Sequence, residues 1–579
     1  MKWRDLMCGD VRSEHIGKRL VLSGWAARWR DHGGLVFIDL RDRAGICQLV
    51  INPEHAPEPA KVAHEVRGEF VLRAEGEVVA RSPEAVNPKL PSGEVELKVD
   101  KLEIISRCPP LPFQLDEENV DETVRLRNRW LDLRRERMQE NIVLRARMIG
   151  VMRRSMEEAG FLDIQTPILG KPTPEGARDF LVPARLQPGR FYALPQSPQL
   201  YKQLLMVAGF DRYYQIAICF RDEDLRADRL QELTQLDVEL SFPDLDELFA
   251  LMERLIAAIW RECVGVELET PFPRLLWDEA QRRFGSDKPD LRFELEIEDA
   301  TEATRNSEFG VFARAACVRF LRVPSVLSRA ELARLEEAAK EWGAGGLAYL
   351  VYADDGELRS PIAKFLSEST LAALAGQPGT TLLFGAGEER AVSRVLGQLR
   401  LKLGGELGLV DEAAWRFTWV TDFPLVEWDE EGERWDAVHH PFTRPASGHE
   451  ALLDSDPGAA RALAYDLVGN GVELGGGSFR IHEPDLQEKL FGLLRISPAE
   501  QRSKFGFLLD ALAMGAPPHG GIAFGIERLL MVLSGESKIR DTQAFPKNQA
   551  GVDPMTGAPS DAADAHLREL GLSRLRPKG

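Results

Sequence analysis

Cysteine is scarce: six in 579 residues (Cys8, Cys47, Cys108, Cys219, Cys263, Cys317), no two of them at C-x-x-C spacing. This argues against a disulfide framework and a structural zinc site, so no zinc is expected and a reducing cytoplasm is the expected location. Long apolar runs are missing as well. No stretch reaches the 18 residues of a spanning helix, and the first twenty residues lack the apolar centre of a signal peptide, so no membrane is expected. There is no H-E-x-x-H helix, which leaves a zinc hydrolase built on His439 or His440 with His482 and His519 without support. Internal repeats and low-complexity tracts are absent too. What is there is ordinary for a soluble globular chain, 44% hydrophobic and 28% charged, and the length gives a prior of three or four domains at about 150 residues each.

The net charge of −19 argues against non-specific binding of polyanions. The charge is uneven, however. Residues 1–50 hold nine Lys and Arg against six Asp and Glu, and residues 123–154 hold ten Arg against three acids. Such runs are either solvated faces or two basic regions on an acidic body, aimed at one specific polyanion.

Residues 1–105 contain LVLSGWAARW, GLVFIDLRD, ICQLVI, EFVLRAEGEVV and EVELKVDKLEII, five β-rich runs separated by turn residues. Five strands in about 100 residues suit a small closed barrel of the oligonucleotide-binding (OB) type, with a sandwich edge as the alternative. Residues 106–130 include the Pro-rich, acidic CPPLPFQLDEENVDE and are expected to link the barrel to the rest of the chain. A helical pattern then runs to Gly160, and strands alternate with helices to about 293. Residues 294–418 change texture and are expected to be an inserted α+β domain. Chemistry-bearing motifs resume in 419–560, and 561–579 form a C-terminal extension.

FRDEDLRADR (220–229) is a strand end followed by a charged loop, and i, i+2 spacing sets Arg221 and Glu223 on one side. An arginine fork suits a phosphate; a carboxylate can receive an adenine amino group; the alternative is a surface salt-bridge strip. GIAFGIERLL (521–530) pairs glycines, which allow close backbone approach, with Arg528 near a helix start. VELGGGSFRIH (472–482) gives backbone room beside Glu473 and Arg480, and with Asp466 it offers two carboxylates to Mg²⁺. FLDIQTPILGKPTPEGARD (161–179) holds Thr166-Pro167 and a Gly/Pro loop carrying Glu175, a lid or a plain connection. ALPQSPQLYKQ (193–203) and TQLDVE (234–239) place Ser197, Gln199, Lys202 and Asp237 as binding-type polar groups, with Ser197 as a helix cap the plain alternative. His439 and His440, being adjacent, would point opposite ways on a strand and could not easily share one metal.

Together these motifs resemble the class II aminoacyl-tRNA synthetases: TP at 166–167 looks like motif 1, Phe220–Glu223 like motif 2, and Gly525–Arg528 like motif 3. The strings TPEGARD, QSPQ, HHPFT and GGGSFRIH are similar to those of the bacterial aspartyl-tRNA synthetases. The likeness covers nearly the whole chain, in order and spacing. It implies an α+β multidomain fold, with an N-terminal OB barrel and an antiparallel-sheet catalytic domain split by the insertion into residues 131–293 and 419–560.

The resemblance also implies roles. Arg221 would meet the α-phosphate and the amino-acid carboxylate, and Arg528 the γ-phosphate; these two would be the catalytic residues. Glu223 would face adenine, and the ATP site would further include Asp222, Glu473, Gly525, Ile526 and Glu527. Asp466 and Glu473 would hold Mg²⁺. Arg480 and Lys202 would clamp the side-chain carboxylate of L-aspartate. Glu175, Ser197, Gln199 and Asp237 would surround its ammonium group, with Leu200, Tyr201, Arg221 and His439 completing the pocket. In the barrel, Phe37 would stack an anticodon base of tRNA(Asp), with Arg28, Arg30, His32 and Gln48 around it. Motif 1 implies a homodimer.

Three departures stand out. Leu230-Gln231 follow ADR where the family usually has Gln-Pro; motif 3 reads Gly-Ile-Glu-Arg where bacterial relatives often have Gly-Leu-Asp-Arg; and His32 stands where many strictly tRNA(Asp)-specific relatives have leucine, which leaves tRNA(Asn) open as a second substrate. The implied reaction forms aspartyl-adenylate from ATP and then esterifies the tRNA, by alignment and charge neutralisation. Asparagine would leave Arg480 and Lys202 buried and unpaired, so its rejection is expected on the order of 10⁴-fold or more.

Overall fold

The computed structural model describes residues 2–172, 177–223 and 229–574. Two compact units divide the chain, Met1–Gln139 and Glu140–Gly579. In the first, five strands close into a barrel: β1 (Arg19–His32), β2 (Leu35–Asp42), β3 (Gly45–Ile51), β4 (Val71–Ala80) and β5 (Val95–Ser106). Their order is β1-β2-β3-β5-β4, with β4 returning to β1. Alternation builds it. Val36, Ile38 and Leu40 of β2 turn into a core with Leu22, Leu49, Leu72 and Leu97, while Phe37, Asp39 and Arg41 between them face out. Gly33-Gly34, at φ +67° and +96°, supply the two-residue turn that joins β1 to β2.

The second unit is built on an eight-stranded sheet. Four strands of this sheet precede the insertion: β6 (Leu162–Asp163), β7 (Arg212–Phe220), β8 (Glu232–Ser241) and β9 (Arg274–Leu276). The insertion holds β10 (Ile297–Asp299), β11 (Cys317–Val323), β12 (Ala348–Tyr352), β13 (Leu358–Arg359) and β14 (Thr380–Gly387). Four more come after it: β15 (Phe417–Thr421), β16 (Ala464–Gly469), β17 (Val472–Phe479) and β18 (His519–Gly525). The sheet order is β9-β15-β16-β17-β18-β8-β7-β6, antiparallel except at the edge pairs β9–β15 and β6–β7.

Helices α1 (Glu136–Glu158), α2 (Gln199–Val207) and α3 (Leu245–Val264) precede the insertion, α4 (Arg329–Glu341) and α5 (Glu389–Glu406) lie in it, and α6 (Ile526–Ser534) comes after β18. One face of the sheet is apolar and covered: Met148, Met152 and Met156 of α1 and Phe249, Met252, Ile256 and Trp260 of α3 join Leu236, Val238 and Trp419 in one core. Phe249 stacks on Trp419 with ring centroids 4.0 Å apart. Helix α3 begins where Asp244 accepts the N–H groups of Asp246 and Glu247, and it stops at Gly265, φ +72°.

The insertion forms its own sheet, β10-β11-β14-β12-β13. Successive residues of β11 enter two different cores, so this sheet is buried on both faces. Buried Arg400 of α5 donates to the carbonyls of Asp290, Phe293 and Leu295 and lies 3.9 Å over the Phe293 ring; burial pulls its pKa down to about 10. It thereby fixes the chain where it enters the insertion. No helix among the described residues is long and apolar enough to cross a membrane.

The second face of the eight-stranded sheet positions the site. One register line runs Gln215, Asp237, Ala523, Gly476, Asp466, and the next carries Glu239, Gly521 and Ser478. Small residues at the centre of each line leave a trough between carboxylates. A Cβ on Gly476 would sit 2.5 Å from Asp466 Oδ1, and one on Gly521 would overlap the Val238 carbonyl oxygen and Glu239 Oε2. The Val238 oxygen belongs to the central strand and cannot swing aside. Gly521→Ala is therefore expected to cost about 1–3 kcal/mol by overpacking; urea denaturation at neutral pH measures it, and an unchanged midpoint would contradict the close approach.

Candidate active site

The trough opens into a cavity of about 550 Å³. Of the residues singled out in the sequence, Ser197, Gln199, Lys202, Arg221, Glu223, Asp237, His439, Asp466, Glu473, Arg480, Gly525, Glu527 and Arg528 line it. Four do not. Leu200 and Ile526 are buried in neighbouring apolar cores, and Asp222 and Tyr201 lie off the wall. The reason is geometric: on a helix only residues three or four apart share a face, and on an extended chain alternate ones do. Glu175 lies outside the described residues.

At one end sits a buried charge cluster. Lys202 Nζ is 2.6 Å from Asp237 Oδ1 and 3.2 Å from Glu239 Oε2, and Arg480 forks onto both Glu239 oxygens at 3.0 and 3.1 Å. None of the four side chains is more than 2% exposed. This corrects the expectation that Lys202 and Arg480 would stand unpaired when no aspartate is bound: Glu239 and Asp237 already neutralise them. Burial alone raises the Glu239 carboxyl, but Arg480 and Lys202 outweigh it and hold it below its usual range. Asp237 goes the other way, raised by burial against the pull of Lys202. Its Oδ2 is buried and has no hydrogen-bond partner.

At the other end the carboxylates of Asp466 and Glu473 converge over Gly476, whose missing Cβ would lie 2.5 Å from one and 3.8 Å from the other. Glu473 Oε2 is 3.5 Å from Lys288 Nζ, and its Oε1 is 3.7 Å from Arg528, which also donates to the Glu473 carbonyl at 3.1 Å. Burial and the charge of Glu473 push the Asp466 carboxyl well up. Among the described residues no three His, Cys, Asp or Glu form a metal cage. Two carboxylates in a cradle that a Cβ would fill suit a Mg²⁺ ion whose other ligands are water and phosphate oxygens.

Between the two ends, the Arg221 N–H donates to the Gln231 carbonyl at 2.9 Å, and Arg229 holds Glu223 at 2.8 Å. Leu230, one of the departures from the family pattern, is itself on the wall. Glu527 is committed to structure: its carboxylate accepts from Arg145 at 2.8 Å and from the Thr234 N–H at 2.9 Å. Ser197 accepts from the Gln199 N–H at 3.2 Å near the start of α2 while also lining the cavity.

The two histidines lie in a turn, not a strand, so both reach the cavity, contrary to the opposed-faces expectation. Burial and Arg480 draw His440 well below its ordinary pKa, and its neutral Nε2 accepts from Arg480. Burial brings His439 to about 4; its ring meets Phe423 edge-on at 4.6 Å, and its Nε2 is buried without a partner. Sequence reasoning missed Glu239, His440 as a partner of Arg480, Asp287 and Lys288. Glu239 was findable, since it sits two residues beyond Asp237 on one strand face; for Lys288 there was no local signal.

In the barrel, Arg28, Arg30, His32, Phe37 and Gln48 share one outer face: Arg30 pairs with Phe37, and Asp39 lies between Arg28 and Gln48. Arg30 is 2.8 Å from Asp39 and 3.3 Å from Gln48, which donates to Glu96 at 2.7 Å. His32 meets Phe37 edge-on at 5.8 Å.

The family model for class II tRNA synthetases (D, K and N) matches residues 121–549, and that for the OB-fold nucleic acid binding domain matches residues 20–105. The chain belongs to the class II tRNA synthetases. Within them it belongs to the aspartate–tRNA ligase family of bacterial type. It is 50% identical to the aspartate–tRNA ligase of Geobacillus kaustophilus over 587 residues, 99% of each chain. It is 51% identical to the aspartate–tRNA(Asp/Asn) ligase of Moorella thermoacetica over 576 residues, 98% of this chain and 96% of the relative. The asparaginyl-tRNA synthetase of Pyrococcus horikoshii, solved with asparaginyl-adenylate, shares the fold at a TM-score of 0.61 and 19% identity, covering 94% of this chain and 99% of that one.

The ion cluster makes its own prediction. A carboxyl depressed in the folded state adds stability that is complete above its unfolded pKa of about 4.3 and is lost as pH falls through the lower, folded value. Glu239→Gln removes that charge and leaves Arg480 without its fork, an expected cost of about 3–5 kcal/mol at pH 7. Chemical denaturation of both proteins should show the gap at pH 7 and a narrowing below roughly pH 4. A gap independent of pH would mean that Glu239 is not held as a carboxylate.

Proposed function

We propose that this chain joins L-aspartate to the 3′ end of tRNA in two steps. The α-carboxylate of aspartate attacks the α-phosphorus of ATP, giving aspartyl-adenylate and pyrophosphate. A terminal ribose hydroxyl of the tRNA then attacks the activated carbonyl and releases AMP. The observation that carries the reading is Asp237 Oδ2: a buried, unpartnered acceptor beside two buried cations, in a cavity whose other end carries arginines and a carboxylate pair. An ammonium group fits the free oxygen, and a carboxylate fits Lys202 and Arg480. Ser197, Gln199 and Glu175 complete the ammonium pocket, and His439 closes over the amino acid.

Arg221 neutralises the α-phosphate and aligns the attacking carboxylate, Glu223 takes the adenine amino group, and Arg528 holds the γ-phosphate. Asp466 and Glu473 would hold Mg²⁺, which when bound supplies charge neutralisation on the phosphates. Glu527 acts through position: by binding Arg145 and the Thr234 N–H it fixes the start of α6, and with it Arg528. Neither step calls for a protein nucleophile.

Because Lys202 and Arg480 are compensated by the protein, asparagine does not strand them. It forfeits charge-assisted bonds worth about 1.5–3 kcal/mol each, and two of them give roughly 10²- to 10⁴-fold discrimination. That is weaker than the unpaired-cation reasoning implied.

The barrel face is proposed to take the anticodon, with Phe37 stacking a base. His32 in place of leucine, with relatives whose names include tRNA(Asp/Asn), favours charging of both tRNAs. A homodimer and a cytoplasmic location are part of the proposal; exposed Leu162, Ile168 and Leu169 around Thr166-Pro167 offer an apolar surface for a second copy.

Aspartate-dependent ATP–pyrophosphate exchange tests the central claim, and its absence in the purified protein would overturn it. Phe37→Ala is expected to weaken charging of tRNA(Asp) while sparing exchange; equal loss in both would return Phe37 to a packing role. Sedimentation at micromolar concentration should show a dimer, and a monomer would remove that part of the proposal.

A further inference from the structure

Lys288 enters the cavity from outside the sheet. It belongs to the Ser286–Asp290 loop, where the chain passes into the insertion, and three observations hold that loop in place. Arg400 grips the Asp290, Phe293 and Leu295 carbonyls from α5. Asp290 packs so closely on the β16–β17 turn that a Cβ on Gly471 would come within 3.0 Å of it. Gly285, at φ +67°, abuts the backbone of Ser393 and Gly397 on α5. The loop is thus held, and the Lys288 ammonium it carries lies 3.1 Å from Asp287 Oδ1 and 3.5 Å from Glu473 Oε2, on the wall that Asp466 shares.

We propose that Lys288 is a positioning residue, the built-in counter-ion of the Asp466–Glu473 pair, keeping those carboxylates neutralised until nucleotide and metal arrive together. This rests on the reading of that pair as the metal ligands. Among the described residues the carboxylates of Asp287, Asp466 and Glu473 gather there with Lys288 and Arg528 within 4 Å of the group, and Asp466 is 5% exposed. Uncompensated, such a group draws in a cation or a proton. An ammonium tethered 3.5 Å from Glu473 repels a divalent ion from the same spot, so metal alone is disfavoured. ATP changes the balance: its phosphates bring negative charge toward which the flexible lysine stem can turn, and the carboxylates are then open to the metal. Entry is therefore ordered, with metal bound as its nucleotide complex and not before it.

The test uses the full chain without nucleotide and Mn²⁺ as the probe, with free Mn²⁺ followed by electron paramagnetic resonance. Lys288→Met, or Lys288→Gln should the first not fold, is expected to bind Mn²⁺ at least tenfold more tightly than the wild type. Lys288→Arg should stay near the wild type. Adding Asp466→Asn to Lys288→Met should abolish the gain. Unchanged Mn²⁺ affinity in folded Lys288→Met and Lys288→Gln would overturn the proposal, as would a gain that survives Asp466→Asn. These readouts need no turnover, whereas the functional reading fails separately, by absence of aspartate-dependent exchange in the wild type.

Discussion

Four charged side chains share the buried face of one β-sheet, and the site depends on how they satisfy one another. Strand β8 is covered on both sides: Leu236 and Val238 face the helices, while Asp237 and Glu239 face the trough. A carboxylate in that position is tolerable only with a cation against it, and Lys202 from α2 and Arg480 from the end of β17 both arrive. Of the two carboxylates, only Asp237 keeps an oxygen unpartnered. In the proposed function, recognition and stability therefore draw on the same contacts. Arg480 cannot be altered to change specificity without disturbing Glu239, and Glu239 cannot be altered without releasing Arg480.

The two ends of the trough differ in balance. The end proposed for the amino acid is neutral, two cations against two carboxylates, so a zwitterion with an extra carboxylate would be taken up there through hydrogen-bond geometry more than through net charge. At the opposite end Asp287, Asp466 and Glu473 crowd around Lys288 and Arg528, a balance that entering phosphates and a metal would shift. That asymmetry suits a reaction in which a small dipolar acid waits at one end and a metal–nucleotide complex enters at the other. It also explains why neutral His440 matters as an acceptor. His440 takes a hydrogen bond from Arg480 without adding charge to a cluster that is already matched.

Much of this is legible in the chain. Period-2 alternation in LVFIDLRD announces the barrel, and the same alternation in TQLDVEL gives Asp237 and, two residues on, Glu239. The glycines of β17 and β18 mark a floor without side chains, as close backbone approach requires. Sequence reading fails where neighbours along the chain are not neighbours in space. Leu200 and Tyr201 come directly after Gln199 but turn 100° per residue away from it, and Ile526 sits between two cavity residues yet packs into the core. His439 and His440 do not lie on a strand, and Pro441 beside them favours a turn. Lys288 has no signature at all, because its position comes from Arg400, more than a hundred residues later, folding the insertion back onto the sheet.

The proposed role of the barrel asks a chain of net charge −19 to meet a polyanion without a strongly basic surface. Arg30 is already paired with Asp39, and Arg28 stands 3.7 Å from Asp116, so both arginines of this face have an acidic neighbour. A surface of that kind attracts nucleic acid weakly at long range. Selectivity then has to come from what the arginines hold in place. The line from Arg30 through Gln48 to Glu96 holds the Gln48 amide diagonal to Phe37 on that face, where in the proposed role stacking and hydrogen bonding would act together. In the proposed role, weak attraction and fixed donors would favour the one RNA whose loop presents the right unstacked bases over the many that present only phosphates.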